Sequence, residues 1–414
     1  MNLRRGITAG LRPAGRLAVA LLTVGAALVA SAVPASAVGT RGTGPGVADF
    51  GFNQGWRVDR HLRLVADISG DGRADIVGFG NDWVMTALSR GDGTFGPVNF
   101  PINDFAFNQG WRVQQHPRFL ADVTGDGRAD IVGVGNTFVQ VAVSLGNGFF
   151  APTQFLSIGF VAGSTYFVAD VNADRRADLY RVQNGRVDIA LARGDGTFAA
   201  PILATTEFTF PFSFDTPKVA DVTGDGRAEF LALSVNGPIH IRSTSPRVDA
   251  TYPLSHRAQA ANSGGPAVGA EVLMDRFADV TGDGRADIVA FGQTGATTYT
   301  AISTGGGNFT DFAPAIGDFG AGTGWNRQHP RELVDVNGDR RADIVGFGIH
   351  GTWIALSNGN GTFSPIQFLL ADFGLNQGWN ADQHVRTAAD ITGDGLADLI
   401  GFGDDGVRTA VTTP

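Results

Sequence analysis

Beyond residue 37 the apolar positions alternate with polar ones over short stretches, and no stretch shows a convincing helical period. After an acidic phrase at 67–75 comes Ile76-Val77-Gly78-Phe79-Gly80, then Trp83-Val84-Met85-Thr86-Ala87-Leu88, then the turn Gly91-Asp92-Gly93-Thr94-Phe95. Segments 344–348, 353–356 and 359–363 repeat that order, as do 179–182, 187–191 and 194–198. With Leu64-Val65-Ala66 leading into the acidic phrase and an outer strand near 98–102, the pattern predicts units of four short antiparallel strands.

The acidic phrase recurs seven times, at 67–75, 122–130, 170–178, 221–229, 279–287, 335–343 and 390–398, with starts 48 to 58 residues apart. A period of that length suits a four-stranded blade and is too long for leucine-rich or ankyrin units. The last unit stops at Val411-Thr412-Thr413-Pro414, after its third strand. Near the N-terminus, Val47-Ala48-Asp49-Phe50-Gly51 resembles Leu370-Ala371-Asp372-Phe373-Gly374 late in the sixth unit, as if it were the missing piece. The expected fold is all-β: a seven-bladed β-propeller over 47–414, preceded by a short flexible leader at 38–46 and closed by pairing of the N-terminal strand with the last blade. An open solenoid would need distinct capping repeats, and none is visible.

Composition narrows the function. The 414 residues include 59 glycines, as turn-rich blades require, and no cysteine. Acids outnumber bases 40 to 31 for a net charge of −9, which argues against a nucleic-acid partner. Arg4, Arg5, Arg12 and Arg16 precede an apolar run at 17–30 and the small residues Ala35-Ser36-Ala37, so 1–37 reads as a cleaved signal peptide. The expected product is secreted, has no membrane span after cleavage and carries no disulfide.

The phrases of form Asp-x-[Ser/Thr/Asn]-Gly-Asp-Gly-Arg-Ala-Asp, with Phe-Gly strands such as Gly78-Phe79-Gly80 and the Phe-x-x-Pro stretch at 198–201, resemble the FG-GAP or VCBS repeats of integrin alpha propellers and many bacterial secreted proteins. The resemblance covers 47–414 and speaks to fold rather than to function.

Each acidic loop sets oxygen-bearing side chains at positions 1, 3, 5 and 9, a pattern able to wrap a hard cation that takes six to eight oxygens. In the first loop the candidate Ca2+ ligands are Asp67, Ser69, Asp71 and Asp75 with the Arg73 carbonyl; in the second, Asp122, Thr124, Asp126 and Asp130 with Arg128. The third offers Asp170, Asn172, Asp174 and Asp178, the fourth Asp221, Thr223, Asp225, Arg227 and Glu229. The fifth offers Asp279, Thr281, Asp283, Arg285 and Asp287, the sixth Asp335, Asn337, Asp339 and Asp343, and the seventh Asp390, Thr392, Asp394, Leu396 and Asp398. Up to seven calcium ions are expected. The alternative is that the aspartates bond turn amides and the following arginine balances their charge. Ala173, Arg175 and Arg340 stand where glycine is expected, so they would strain a loop needing positive φ.

A second phrase precedes loops 1, 2, 6 and 7 only. It supplies Gln54, Trp56, His61 and Arg63, then Gln109, Trp111, His116 and Arg118, then Trp325, His329 and Arg331, then Gln377, Trp379, His384 and Arg386. Loops 3, 4 and 5 follow unrelated segments such as 159–166, 208–214 and 255–271. An indole beside Asn, Gln, His and Arg suits a sugar, whose C–H face stacks on the ring while polar groups take the hydroxyls. The phrase resembles the repeat of propeller lectins, including fungal N-acetylglucosamine binders and bacterial fucose- or galactose-binding relatives. That resemblance implies glycans or glycosylated surfaces as partners, bound by several weak pockets together. Two alternatives remain: the tryptophans wedge adjacent blades, or the ring is a protein-binding adhesion or scaffold module. Exposed indoles would favour sugar and buried ones a scaffold. The Gly-x-Gly-x-x-Gly pattern at 91–96 opens no helix, His240, His256 and His350 are isolated, and no catalytic motif appears, so no enzyme activity is expected.

Overall fold

The second strand of most complete units is short and apolar, and it is buried along both faces. Every residue of Asp75–Phe79, Asp130–Val134, Asp343–Phe347 and Asp398–Phe402 is buried. Strict alternation would leave one face to water; these segments instead read as continuous apolar runs because each sheet lies between two others. The computed structural model describes residues 38–184, 186–205, 218–231 and 272–414. The expected signal peptide and the segments 208–214 and 255–271 lie outside the described residues.

In the first blade Arg63–Ala66, Asp75–Phe79, Val84–Ala87 and Asn99–Ile102 pair antiparallel in chain order. The same order builds the second blade, Arg118–Ala121 to Gln154–Leu156, and the third, Thr165–Ala169 to Ile202–Thr205. The fifth runs from Val272–Ala278 to Ala313–Ile316 and the sixth from Arg331–Val334 to Gln367–Leu370. Among the described residues the fourth unit contributes two strands, Lys218–Ala220 and Glu229–Leu231.

The last blade takes Val385–Ala389, Asp398–Phe402 and Val407–Thr413 from the C-terminus and its outer strand from the N-terminus, as expected. The strand itself is a correction. It is Gly39–Val47, so the expected flexible leader at 38–46 is the ring's closure, while Asp49 and Phe50 form a turn after it. Glycine-rich sequence carries no strand signal of its own. The free edge of Val407–Thr413 supplies the template, and Pro45 is tolerated because the strand lies at the sheet's edge.

Seven hydrogen bonds of 2.7–2.8 Å run round one end of the ring. The alanine at position 8 of each acidic loop donates its N–H to the carbonyl of Asp at position 1 of the preceding loop: Ala129 to Asp67, Ala177 to Asp122, Ala228 to Asp170, Ala286 to Asp221, Ala342 to Asp279, Ala397 to Asp335, and Ala74 back to Asp390. The last of these closes the circle, so the architecture is a propeller and not a solenoid. The core lies between blades. Val77 and Phe79 of the first meet Ile131 and Ala142 of the second, and Ile400 and Phe402 of the last meet Ile76 and Ala87 of the first. Each such buried side chain contributes roughly 1.5–3 kcal/mol. No helix among the described residues is long and apolar enough to cross a membrane.

Candidate functional site

In the first acidic loop, Asp67 Oδ1 accepts from the N–H groups of Ser69 and Gly70 at 3.1 and 2.6 Å, and Oδ2 from that of Gly72 at 2.8 Å. Asp71 accepts from the Arg73 N–H and forms an ion pair with its guanidinium. Asp75 is wholly buried and accepts from the N–H groups of Ile68 and Ser89 at 3.2 and 2.8 Å. Burial pushes its carboxyl up to about 6, against the pull of those bonds.

The other loops repeat this plan. Asp122, Asp170, Asp221, Asp279, Asp335 and Asp390 accept loop amides, and Asp126, Asp174, Asp283 and Asp339 pair with Arg128, Arg176, Arg285 and Arg341. Asp225 and Asp394 accept the N–H groups of Arg227 and Leu396. The ninth residues Asp130, Asp178, Glu229, Asp287, Asp343 and Asp398 are wholly buried and accept from the N–H at position 2. Position 3 also turns inward: Ser69 and Thr124 donate their hydroxyls to the first aspartate, Thr223, Thr281 and Thr392 lie between the first aspartate and the nearer ninth carboxylate at 3.2–3.4 Å, and Asn172 and Asn337 donate to Asp174 and Asp339. Ala173, Arg175 and Arg340 adopt φ of 63–65° despite their side chains.

The donor chemistry is that of a hard-cation loop, but the arrangement does not form a cation shell. The first carboxylate faces amides, the fifth faces a guanidinium and the ninth faces the core. Among the described residues no three acidic or imidazole side chains converge to hold a metal.

The second phrase is brought together as expected, but inside the protein. Trp56, Trp111, Trp325 and Trp379 are 4, 4, 7 and 4% exposed, and their histidines and arginines are buried with them. The expected stacking shelf is therefore absent at these four rings. Each sits over a glycine of its own blade's second strand: a Cβ at Gly78, Gly133, Gly346 or Gly401 would lie 2.3–2.6 Å from the indole.

A chain of polar contacts fixes each wedge. Asp49, Asp318 and Asp372 accept from the indole N–H of Trp56, Trp325 and Trp379 at 3.1, 2.9 and 2.9 Å. The phenylalanine after each of these aspartates has positive φ, as does Phe105. Arg63, Arg118, Arg331 and Arg386 donate to the carbonyls of Phe50, Phe105, Phe319 and Phe373. His61 Nδ1 accepts the Arg57 N–H at 3.0 Å, which leaves Nε2 protonated to donate to Asn81 at 2.9 Å. His116 meets Asn136 and His384 meets Asp404 in the same way, but Ile349 holds that place in the sixth blade, and His329 Nε2 has no hydrogen-bond partner among the described residues. Gln109 and Gln377 donate to carbonyls in the preceding blade's turn, while Gln54 lies exposed beside Gly51.

The sequence does contain a sign of this wedge. Glycine occupies the fourth position of the second strand in the four blades with tryptophan, whereas Arg181 and Ala290 stand there in the third and fifth blades. The third blade fills the same region with Phe160 and Tyr166, ring centroids 5.7 Å apart, under the Arg181 guanidinium.

Two cavities open beside these wedges, at matching places in the sixth and last blades. Each lies between the tryptophan phrase and the turn joining the second and third strands. The larger, 480 Å³, is lined by Asp372, Gln377, Asp404, Asp405 and Arg408 beside the edge of Trp379. Arg408 pairs with Asp372 at 2.8 Å. The smaller, 360 Å³, is lined by Thr323, His329, Ile349, His350 and Trp353 beside Trp325. Trp353 is half-buried, with Phe368 edge-on at 4.9 Å. Sequence reasoning missed these turn residues. The available signal was variation within constancy: Asn81-Asp82, Asn136-Thr137, Ile349-His350 and Asp404-Asp405 differ between otherwise matching strands.

A model of FG-GAP-like repeats matches residues 122–180, 170–232 and 335–401. A lectin of Agrocybe aegerita, whose structure is described as the basis of specific recognition of non-reducing terminal N-acetylglucosamine, is 33% identical over 86% of this chain and 78% of its own, with a TM-score of 0.48. A chain of the Photorhabdus luminescens Tc holotoxin pore is 16% identical over 85% of this chain and 16% of its own, also with a TM-score of 0.48. No curated protein matches.

Proposed function

The chain belongs to the FG-GAP-like repeat β-propellers, and from that premise we propose that it is a secreted, multivalent carbohydrate-binding ring whose sugar sites are the cavities beside the buried tryptophans. The observation that carries this reading is the pair of matching cavities in successive blades, each within the roughly 300–1,000 Å³ typical of small-ligand sites. The last blade presents carboxylates and amide and guanidinium donors together, so hydroxyls could both give and accept hydrogen bonds at Asp404, Asp405, Gln377 and Arg408. In the sixth, Trp353 and His350 offer an apolar wall with a polar tip for a pyranose. The sequence identity with a lectin is consistent with this ligand class, and secretion rests on the basic, apolar and small-residue order of 1–37. Single sites near millimolar affinity, about −4 kcal/mol, would gain about 10²–10⁴ when engaged together.

A glycan array followed by sugar titration tests the reading. Trp353→Ala and Asp405→Ala are each expected to weaken binding at least tenfold; Asp405 is exposed, so its change should leave the melting temperature nearly unmoved. A folded protein blank to every glycan would overturn it. A second reading, protein binding, is favoured by Phe100, Phe155 and Phe368, which stand 52, 59 and 48% exposed on outer strands. A blank array would leave that reading in place.

A further inference from the structure

Six of the seven acidic loops carry their own cation. Arginine occupies position 7 in loops 1 to 6, as Arg73, Arg128, Arg176, Arg227, Arg285 and Arg341, and Leu396 stands there in the seventh. In five of these loops the guanidinium is paired with the position-5 aspartate, the carboxylate a metal would require.

The methylene stem does a second job. Arg128 crosses into the loop of the preceding blade, so close to Gly70 that a Cβ there would stand 3.0 Å from its Cγ. Arg176 lies in the same way over Gly125, Arg285 over Gly224, Arg341 over Gly282, and Arg73 over Gly393 across the ring's closure, at 3.0–3.2 Å. The other side of the stem meets a glycine in its own blade's hairpin, such as Gly146 against the Cδ of Arg128 at 3.2 Å. Three guanidinium groups also reach a backbone carbonyl there, Arg128 to Ser144 at 3.4 Å, Arg176 to Ala192 at 3.3 Å and Arg285 to Ser303 at 3.3 Å. Leu396 occupies the equivalent space over Gly338 with its Cδ2 at 3.1 Å, packing without charge. The fourth-position glycine of each of these loops thus admits the next blade's side chain.

We propose that the position-7 arginine, in place of a divalent ion, is the cation that neutralises these loops and joins each blade to the one before it. Seven repeated carboxylate clusters then coexist in one ring because the neighbouring guanidinium groups are part of the fold. The position is independent of the sugar cavities, so neither proposal stands or falls with the other.

The test uses the full chain, melted in excess chelator and in 10 mM calcium, with bound calcium counted by native mass spectrometry. The melting temperature is expected to be the same in both within about 2–4 °C, the shift that about 1 kcal/mol gives. At most one ion per chain is expected, and it should be lost in Asp394→Asn, since the seventh loop alone lacks the arginine. Arg128→Gln should lower the melting temperature and Leu396→Arg should raise it. The second variant keeps the test alive if the first does not fold. Two or more tightly held ions, a fall of ten degrees or more on chelation, or a neutral Leu396→Arg would overturn the proposal.

Discussion

The indole of Trp379 stands in the space that a side chain on Gly401 would need, with its Cη2 atom 2.3 Å from the position of a Cβ. The contact joins a phrase that looks like a ligand-binding motif to a strand glycine that looks like a flexible spot, and makes both parts of one wedge. Gly401→Ala is expected to destabilise the protein by about 1–3 kcal/mol, the usual cost of overpacking a core. Thermal and denaturant melts of the full chain measure it, and an unchanged midpoint would mean the indole moves freely.

Asp372 holds the same wedge from its other side. Its Oδ1 accepts from the Phe373 N–H at 2.7 Å and the Trp379 indole N–H at 2.9 Å, while Oδ2 meets Arg408. Asp372→Ala leaves buried donors unpaired and is expected to cost about 1–3 kcal/mol. Asp372→Asn, which keeps one accepting oxygen, should recover part of that in the same denaturant titration.

The third blade carries a pH-dependent contribution. Asp188 is buried and paired with both Arg181 and Arg186 at 2.6 Å. Burial alone would raise its carboxyl, but the two guanidinium groups outweigh it and hold the group below its ordinary value. A depressed carboxyl stabilises the fold fully above the unfolded value of about 3.9, and that contribution is lost as pH falls further, through the folded value. Asp188→Asn should therefore be less stable than the native chain at neutral pH. The difference should close only below about pH 4, as read from melting temperatures across pH. A difference that widens on acidification would reverse the assignment.

Ring closure depends on the N-terminal strand. Removing residues 38–47 would strip the outer strand from Val407–Thr413 and leave the Phe95 N–H without the Gly46 carbonyl it meets at 3.1 Å. The shortened protein is expected to melt earlier and to self-associate through the uncovered edge. Scanning calorimetry and light scattering check both.

Much of the fold was legible in the chain because its determinants are local and repeated. Each unit writes its own strands in runs such as Ile76-Val77-Gly78-Phe79 and its own turns in Gly-Asp-Gly, and seven copies of one phrase call for a ring. The four tryptophan phrases were found as well, with their glycines, arginines and histidines. What could not be read is which way those side chains face, since Trp56 and Arg128 take their meaning from surfaces belonging to other elements of the ring. Gly39–Val47 became a strand for the same reason: its partner edge lies at the opposite end of the chain. Repetition along a chain specifies the elements and their number. Burial and the cavities at Asp404 and Trp353 arise only where elements distant in the chain pack together, so the tertiary structure alone decided that the indoles are wedges and that the turns beside them line the open space.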